Sequence, residues 1–194
     1  MEGAEFLIEG ERVALGRLRR DLPDTHARWT GSLAVWPGLS HLGILDRVTE
    51  EAGLDEALNA NAQHEPTRAN FTIYARDDGE PVGTSALFDV NHHHARARFG
   101  ILLGERRGEG PRHGGDAADA RLGLPGAQPA QRPARGAALE RGRDPRSENA
   151  GFRVIGRRRD ALLAHGRRWD EVHTDALASE FSGSVPADGM PSGE

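Results

Sequence analysis

One stretch limits what this chain can become. Phe99-Gly100-Ile101-Leu102-Leu103-Gly104 is an apolar run that ends at a glycine, and Glu105-Arg106-Arg107-Gly108-Glu109-Gly110 follows as a charged, glycine-punctuated turn. A buried strand that opens into such a turn is suited to hold a phosphate. Gly108 and Gly110 can take backbone angles that aim successive N–H groups at one anion. Arg106 and Arg107 place positive charge beside it. A phosphate-binding fold would start a helix next, with its N-terminus facing the anion. Pro111-Arg112-His113-Gly114-Gly115 stands there instead and is a poor helix start.

The residues before this stretch predict two helices and a run of strands. Phe6 to Leu18 reads as strand, with a turn at Gly10-Glu11 and with Val13, Leu15 and Leu18 as core positions. Asp21-Leu22-Pro23-Asp24 predicts a helix start, with Asp21 as N-cap and Pro23 in the first turn. Leu22 and Trp29 then share one face, and Trp36-Pro37-Gly38 breaks the chain. Thr49-Glu50-Glu51 opens a second helix with acids at its positive end, and Leu54, Ala57 and Leu58 form its buried stripe. Gly53 weakens that helix by about 1 kcal/mol relative to Ala. Phe71 to Ala75, Val82 to Val90 and Arg96 to Leu103 predict an antiparallel meander, turning at Asp77-Asp78-Gly79-Glu80 and at Asn91 to Ala95.

Residues 111–146 change character. They hold no Phe, Trp, Tyr or β-branched residue, and Leu122, Leu124 and Leu139 are their only large apolar side chains. Such a segment cannot bury enough surface to offset its ordering entropy, so it is expected to be disordered. Order resumes with strands at Ala150 to Gly156 and at Trp169 to Leu177, and Ser182 onward reads as a disordered tail.

Composition narrows the function classes. The 194 residues suit one domain, here residues 1–181 followed by the tail 182–194. A formal net charge of −5 gives no global footprint for DNA, and the absence of cysteine excludes disulfides and thiolate metal sites. All 25 basic residues are arginine. The acidic start Met1 to Phe6 lacks an apolar signal region, and no run approaches a membrane span, so a cytoplasmic location without a membrane partner is expected.

Four pieces in order resemble the GNAT-type N-acetyltransferases, in their RimJ/RimL-like, ribosomal-protein-alanine acetyltransferase branch. Gly79 to Phe88 is similar to that family's second-to-third strand hairpin, and Phe99 to Gly110 to its fourth strand and pyrophosphate loop. Ser147-Glu148-Asn149-Ala150-Gly151-Phe152 resembles its Y-E-x-A-G-F. Trp169 to Val172, with Asp175-Ala176-Leu177 and Glu180-Phe181, resembles its C-terminal strand. The resemblance implies an α/β fold with a mixed, mostly antiparallel sheet flanked by helices. It implies acetyl transfer from acetyl-CoA, as substrate, to a primary amine. The acceptor could be a protein N-terminus, a polyamine or a small antibiotic amine, and a homodimer is allowed. In the family's loop R/Q-x-x-G-x-G/A, Arg107, Gly108, Glu109 and Gly110 match the start, while Pro111 and Arg112 depart from the pattern. Leu102 and Leu103 fall on the strand edge that pairs with pantetheine.

A one-base frame slip would account for the departure. The codons of Pro111 to Asp116, read one base later, can spell L-G-T-E-A-T, which continues the loop into the family's helix. Gln131 to Gly136 can spell N-V-L-L-E-V, and Asp144-Pro145-Arg146 can spell I-R-A, leading into Ser147 without a gap. The other reading of residues 111–146 is a genuine insertion that replaced the helix. The alternative to an enzyme is that the chain as written is catalytically dead or frame-damaged, with little or no acetyl-CoA binding.

No residue is assigned as catalytic. Transfer needs a group that deprotonates the ammonium and a donor for the leaving thiolate. Ser147 stands where relatives often carry a Tyr, and it cannot serve as an acid of that kind. Arg98 stands at or near a position where many relatives carry a Glu, which leaves Glu148 and the acids near the hairpin as candidates by location alone. His92-His93-His94 reads as a solvated turn, since adjacent strand residues point to opposite faces and one ion rarely takes all three. Arg157-Arg158-Arg159 reads as a solvated strand end, with substrate or RNA contact as the lesser reading.

Overall fold

The computed structural model describes residues 5–10, 12–31, 46–104, 128–129, 152–164 and 166–177. The expectations for residues 105–127 and 130–151, for the break at Trp36-Pro37-Gly38 and for the tail lie outside them. In chain order the elements are β1 (Phe6–Glu9), β2 (Val13–Gly16), α1 (Pro23–Thr30), α2 (Arg47–Asn61), β3 (Ala69–Ala75), β4 (Pro81–Asn91), β5 (Arg96–Leu103), β6 (Gln128–Pro129), β7 (Arg153–Ala164) and β8 (Arg167–Asp175). The first six strands form one sheet in the order β1-β2-β3-β4-β5-β6, and β7 pairs with β8 as a separate hairpin. Every pairing is antiparallel except that of β5 with β6. The expected mixed, mostly antiparallel α/β fold is therefore present.

The meander forms where its alternation predicts. Gly79 sits at φ 74°, the left-handed angle that the Asp-Gly turn demands, and its N–H donates to the Ala75 carbonyl at 2.9 Å. Register then sorts the side chains. Leu15, Ile73, Gly83 and Leu103 lie across one face, and Gly16, Thr72, Thr84 and Leu102 across the other. The first face builds a core of Val13, Leu15, Ile73, Ala75 and Val82, with Ile8, Phe71, Ile101 and Leu103 packed against it. Ile73 is fully buried, which contributes about 2–3 kcal/mol of transfer free energy. Leu18 is only half-buried.

Both helix starts differ from expectation. Asp21 does not cap α1. Leu22 occupies the cap position without a side-chain bond, because Arg19 holds the Asp21 carboxylate, its Nε donating to Oδ1 at 2.8 Å. That hydrogen bond keeps the Asp21 carboxyl below its usual range. Helix α2 begins two residues earlier than Thr49, because Asp46 caps it and accepts from the Thr49 N–H at 2.9 Å. Leu54 and Ala57 are buried, as the stripe predicts, and Leu58 is half-buried.

Strand β7 is longer than the predicted strand and carries Arg157-Arg158-Arg159 inside it rather than at its end. All three are exposed, and the ladder shifts register between Arg158 and Leu162, where Asp160 takes φ 51°. Arg157 faces Asp170 at 3.5 Å across the hairpin. Strand β8 starts two residues before the predicted Trp169 and ends two before Leu177.

The C-terminal end of α2 closes the sheet beside β3. Strand β2 pairs only with Thr72 to Ala75, so Asn70 lies beyond its reach. The Asn61 side chain takes the missing strand's place. Its Nδ2 donates to the Asn70 carbonyl at 2.8 Å, and its Oδ1 accepts from the Asn70 N–H at 2.8 Å. Replacing Asn61→Ala leaves both buried backbone groups unmet and should lower stability by about 2 kcal/mol. Urea denaturation against the parent chain measures this; a loss near zero would show that the side chain is dispensable.

Candidate functional site

The site is built around β5. The Gly104 N–H donates to the Val82 carbonyl at 2.9 Å, which fixes the phase of the β4–β5 ladder. Antiparallel strands alternate, so residues at even numbers from Gly104 turn their backbone groups to β4 and those between turn them away. Leu102 therefore bonds toward Thr84, its partner in register, whereas Ile101 and Leu103 direct N–H and C=O to the opposite edge. On that edge, among the described residues, β6 pairs in parallel at Arg96 with Gln128 and at Ala97 with Pro129. From Arg98 to Ile101 no described strand continues this pairing. An extended ligand bearing amide groups would meet such an edge as an added strand.

The predicted phosphate turn follows directly. Arg107, Gly108, Glu109 and Gly110 lie outside the described residues, as do Ser147 and Glu148. The end of β5 that leads to the turn is well defined. Helix α1 lays the Trp29 indole on Gly104, and a Cβ at residue 104 would overlap the indole atoms Cγ, Cδ1 and Cδ2. Trp29 is 2% exposed. Glycine is required here for close approach.

A second group of side chains gathers where α1 meets α2. Leu22, His26, Trp29 and Thr30 form the buried stripe around α1. The His26 and Trp29 rings lie 5.4 Å apart. The Thr30 hydroxyl, with one proton to donate, lies 2.6 Å from Glu50 Oε1 and 2.9 Å from the His26 carbonyl oxygen. His26 Nε2 is buried and finds no hydrogen-bond partner among the described residues. Burial pushes the His26 imidazole below its ordinary value of 6.5, and the Glu50 carboxylate opposes this. Sequence reasoning missed His26, Thr30 and Glu50. The four-residue step from Leu22 to His26 is the signal that marks His26 as inward-facing.

The sheet face that carries Leu102 also carries Thr72 and Tyr74, both fully buried. Their hydroxyl oxygens have no partner among the described residues. Burial pushes the Tyr74 phenol up, while Thr72 and Arg19 partly oppose it. The Tyr74 ring lies 5.5 Å from Phe6.

Arg98 lies in β5, two residues after its start. Its guanidinium pairs with Asp89, a residue at φ 50° in a bulge of β4. Its Nε is buried without a partner among the described residues. His92, His93 and His94 stand exposed in the β4–β5 turn. His92 Nε2 lies 3.1 Å from the Pro66 carbonyl, and the His93 and His94 rings meet edge-on at 4.6 Å. Phe152, the residue before β7, stacks on Phe99 with ring centroids 6.3 Å apart.

An antiparallel meander, a helix pair beside it and a short parallel strand at the start of β5 belong to the GNAT acetyltransferase fold, and the chain has that fold. RimL, a ribosomal L7/L12 alpha-N-protein acetyltransferase solved in complex with coenzyme A, matches with a TM-score of 0.68 at 9% identity, covering 89% of this chain and 98% of that one. A spermidine N-acetyltransferase SpeG chimera from Vibrio cholerae and hSSAT matches at 0.64 and 15% identity, over 87% of this chain and 96% of the other. A GCN5-related N-acetyltransferase from Brucella melitensis matches at 0.61 and 19% identity, over 92% and 81%. No protein-family model and no curated protein matches the chain.

The close approach of α1 to β5 has a measurable consequence. Gly104→Ala should displace the indole at an overpacking cost of about 1–3 kcal/mol. Thermal denaturation and Trp emission check it, with a lower midpoint and red-shifted emission expected; an unchanged midpoint would show that the contact is not tight.

Proposed function

We propose that this chain is an N-acetyltransferase that takes acetyl-CoA and a primary amine. The observation that carries this reading is the GNAT acetyltransferase fold, in which, among the described residues, β6 pairs in parallel with Arg96 and Ala97 at the start of β5. Beyond it, Ile101 turns its backbone groups to the edge along which a pantetheine arm, with its two amides, could lie as a strand. Leu102 supports the position from the β4 side. The arm's pyrophosphate would then reach Arg107, Gly108, Glu109 and Gly110, the glycine turn that directly follows β5. Backbone N–H groups there meet an anion without needing a lysine, a residue this sequence lacks.

The amine nitrogen, once freed of its extra proton, attacks the thioester carbonyl carbon. A C–N bond forms, the C–S bond breaks, and the departing thiolate takes up a proton. The protein's share is to hold both reactants in line and to polarise the carbonyl with backbone donors. A protein N-terminus, a polyamine or a small amine would each serve as acceptor. Solved proteins of this fold include enzymes named for spermidine and for a ribosomal protein. A homodimer and a cytoplasmic setting fit this reading, and no described helix is long and apolar enough to cross a membrane.

Calorimetric titration of acetyl-CoA tests the proposal in two chains. One is the 194-residue chain itself, and the other carries residues 111–146 in the one-base-shifted reading of its own gene. Binding by the chain itself, followed by a mass gain of one acetyl group on a polyamine or peptide, is the expected outcome. Binding by the second chain alone would make the printed chain a frame-damaged form of the enzyme. Binding by neither would sink the acetyltransferase reading.

A further inference from the structure

Helix α1 is short and poorly anchored by its own sequence. It has eight residues and no side-chain cap at its start. A helix of that length does not persist alone in water, so its docking rests on the buried stripe. That stripe is apolar at Leu22 and Trp29 but has an imidazole at its centre. His26 is 7% exposed, is packed against the indole, and has no acceptor for an Nε2 proton among the described residues. A neutral ring fits this slot as an aromatic side chain would. A charged ring does not, because a buried cation needs a partner.

Among the described residues, the surroundings offer little to meet such a charge. From α2, Glu50 is the one carboxylate that acts on His26 among the described residues, and it already receives the Thr30 hydroxyl. On α1 itself, Asp24 and Arg28 are exposed, and Asp24 pairs with Arg47 at 3.0 Å. At the end of β5 the stripe meets Gly104, which brings no charge.

We propose that His26 is a protonation-sensitive latch: the neutral imidazole keeps Trp29 seated on Gly104, and protonation releases α1 from the end of β5. The latch governs the point from which the glycine turn departs. Its consequence for acetyl-CoA rests on the function proposed above, but the latch itself does not. The folded chain keeps His26 neutral where the unfolded chain takes up a proton near pH 6.5. The site's contribution to stability is therefore complete above that pH and is lost as the pH falls below it.

The test follows Trp29 emission in a chain carrying Trp36→Phe and Trp169→Phe, from about pH 7.5 down to about pH 5, with far-UV circular dichroism recorded in parallel. The expected result is a reversible red shift while most of the dichroism is retained. The shift should disappear in the same chain carrying His26→Gln, which keeps a polar side chain of similar reach but cannot titrate. His26→Phe, which fills the slot without a proton site, should also hold the emission blue at the acid end. The ring Cε1–H signal of His26, followed by NMR in the unsubstituted chain, should titrate in step with the emission. No red shift, a shift that survives both substitutions, or a shift that coincides with loss of the whole dichroism signal would each overturn the latch. If the latch holds, acetyl-CoA affinity should fall over the same pH interval in the parent chain and not in the His26→Gln chain. A latch seen in emission without any acetyl-CoA binding would count against the function and leave the latch standing.

Discussion

The ladder between β4 and β5 sets the geometry on which everything else depends. Its phase is fixed by the bond from Gly104 N–H to the Val82 carbonyl. A slip of one residue would turn Ile101 and Leu103 out of the apolar core and reverse which backbone groups face β6. Two bulges protect this phase. One lies beside Val82, where β4 carries an extra residue against β3, and the other lies between Phe88 and Asn91. Each bends the strand locally without exchanging its faces over the central register from Gly83 to Phe88.

The two faces differ in what they carry. One is packed with aliphatic side chains and also holds Ser85, whose buried hydroxyl has no partner among the described residues. The face toward α1 holds Thr72 and Tyr74, whose hydroxyls are buried without partners among the described residues, and α1 adds His26 Nε2. Each such atom costs about 1–3 kcal/mol if nothing meets it. A sheet selected for stability alone would carry apolar residues at these positions.

Much of the fold was legible in the residues. The three meander strands and both of their turns stand close to where alternation and the Asp-Gly pair put them, and β5 matches Arg96 to Leu103 end for end. These signals are local: period two, a turn residue with a positive φ, a run of apolar side chains. The helix caps were less legible. Asp21 has the right chemistry for a cap, but Arg19 competes for its carboxylate, and sequence spacing does not rank those two bonds. The arginine run in β7 read as a strand end because three charges in a row rarely continue a strand. It continues because the hairpin stands apart from the main sheet and supplies Asp170 and Glu171 opposite Arg157 and Arg158.

By itself the sequence determined the strand-to-turn stretch, the alternation that gives the sheet its faces, and the exclusion of thiolate chemistry. The positions of Leu102 and Leu103 on β5 were fixed by the same alternation. Only the tertiary structure decided which of these two leucines turns its backbone toward β6, because that depends on the phase of a bond to another strand. It also decided that Trp29 lies on Gly104, and that His26, Thr30 and Glu50 meet across two helices. These contacts join residues far apart in the chain, and no local propensity encodes the distance between them. They exist because a buried stripe on a short helix has to find a surface, and the end of β5 offers one without a side chain.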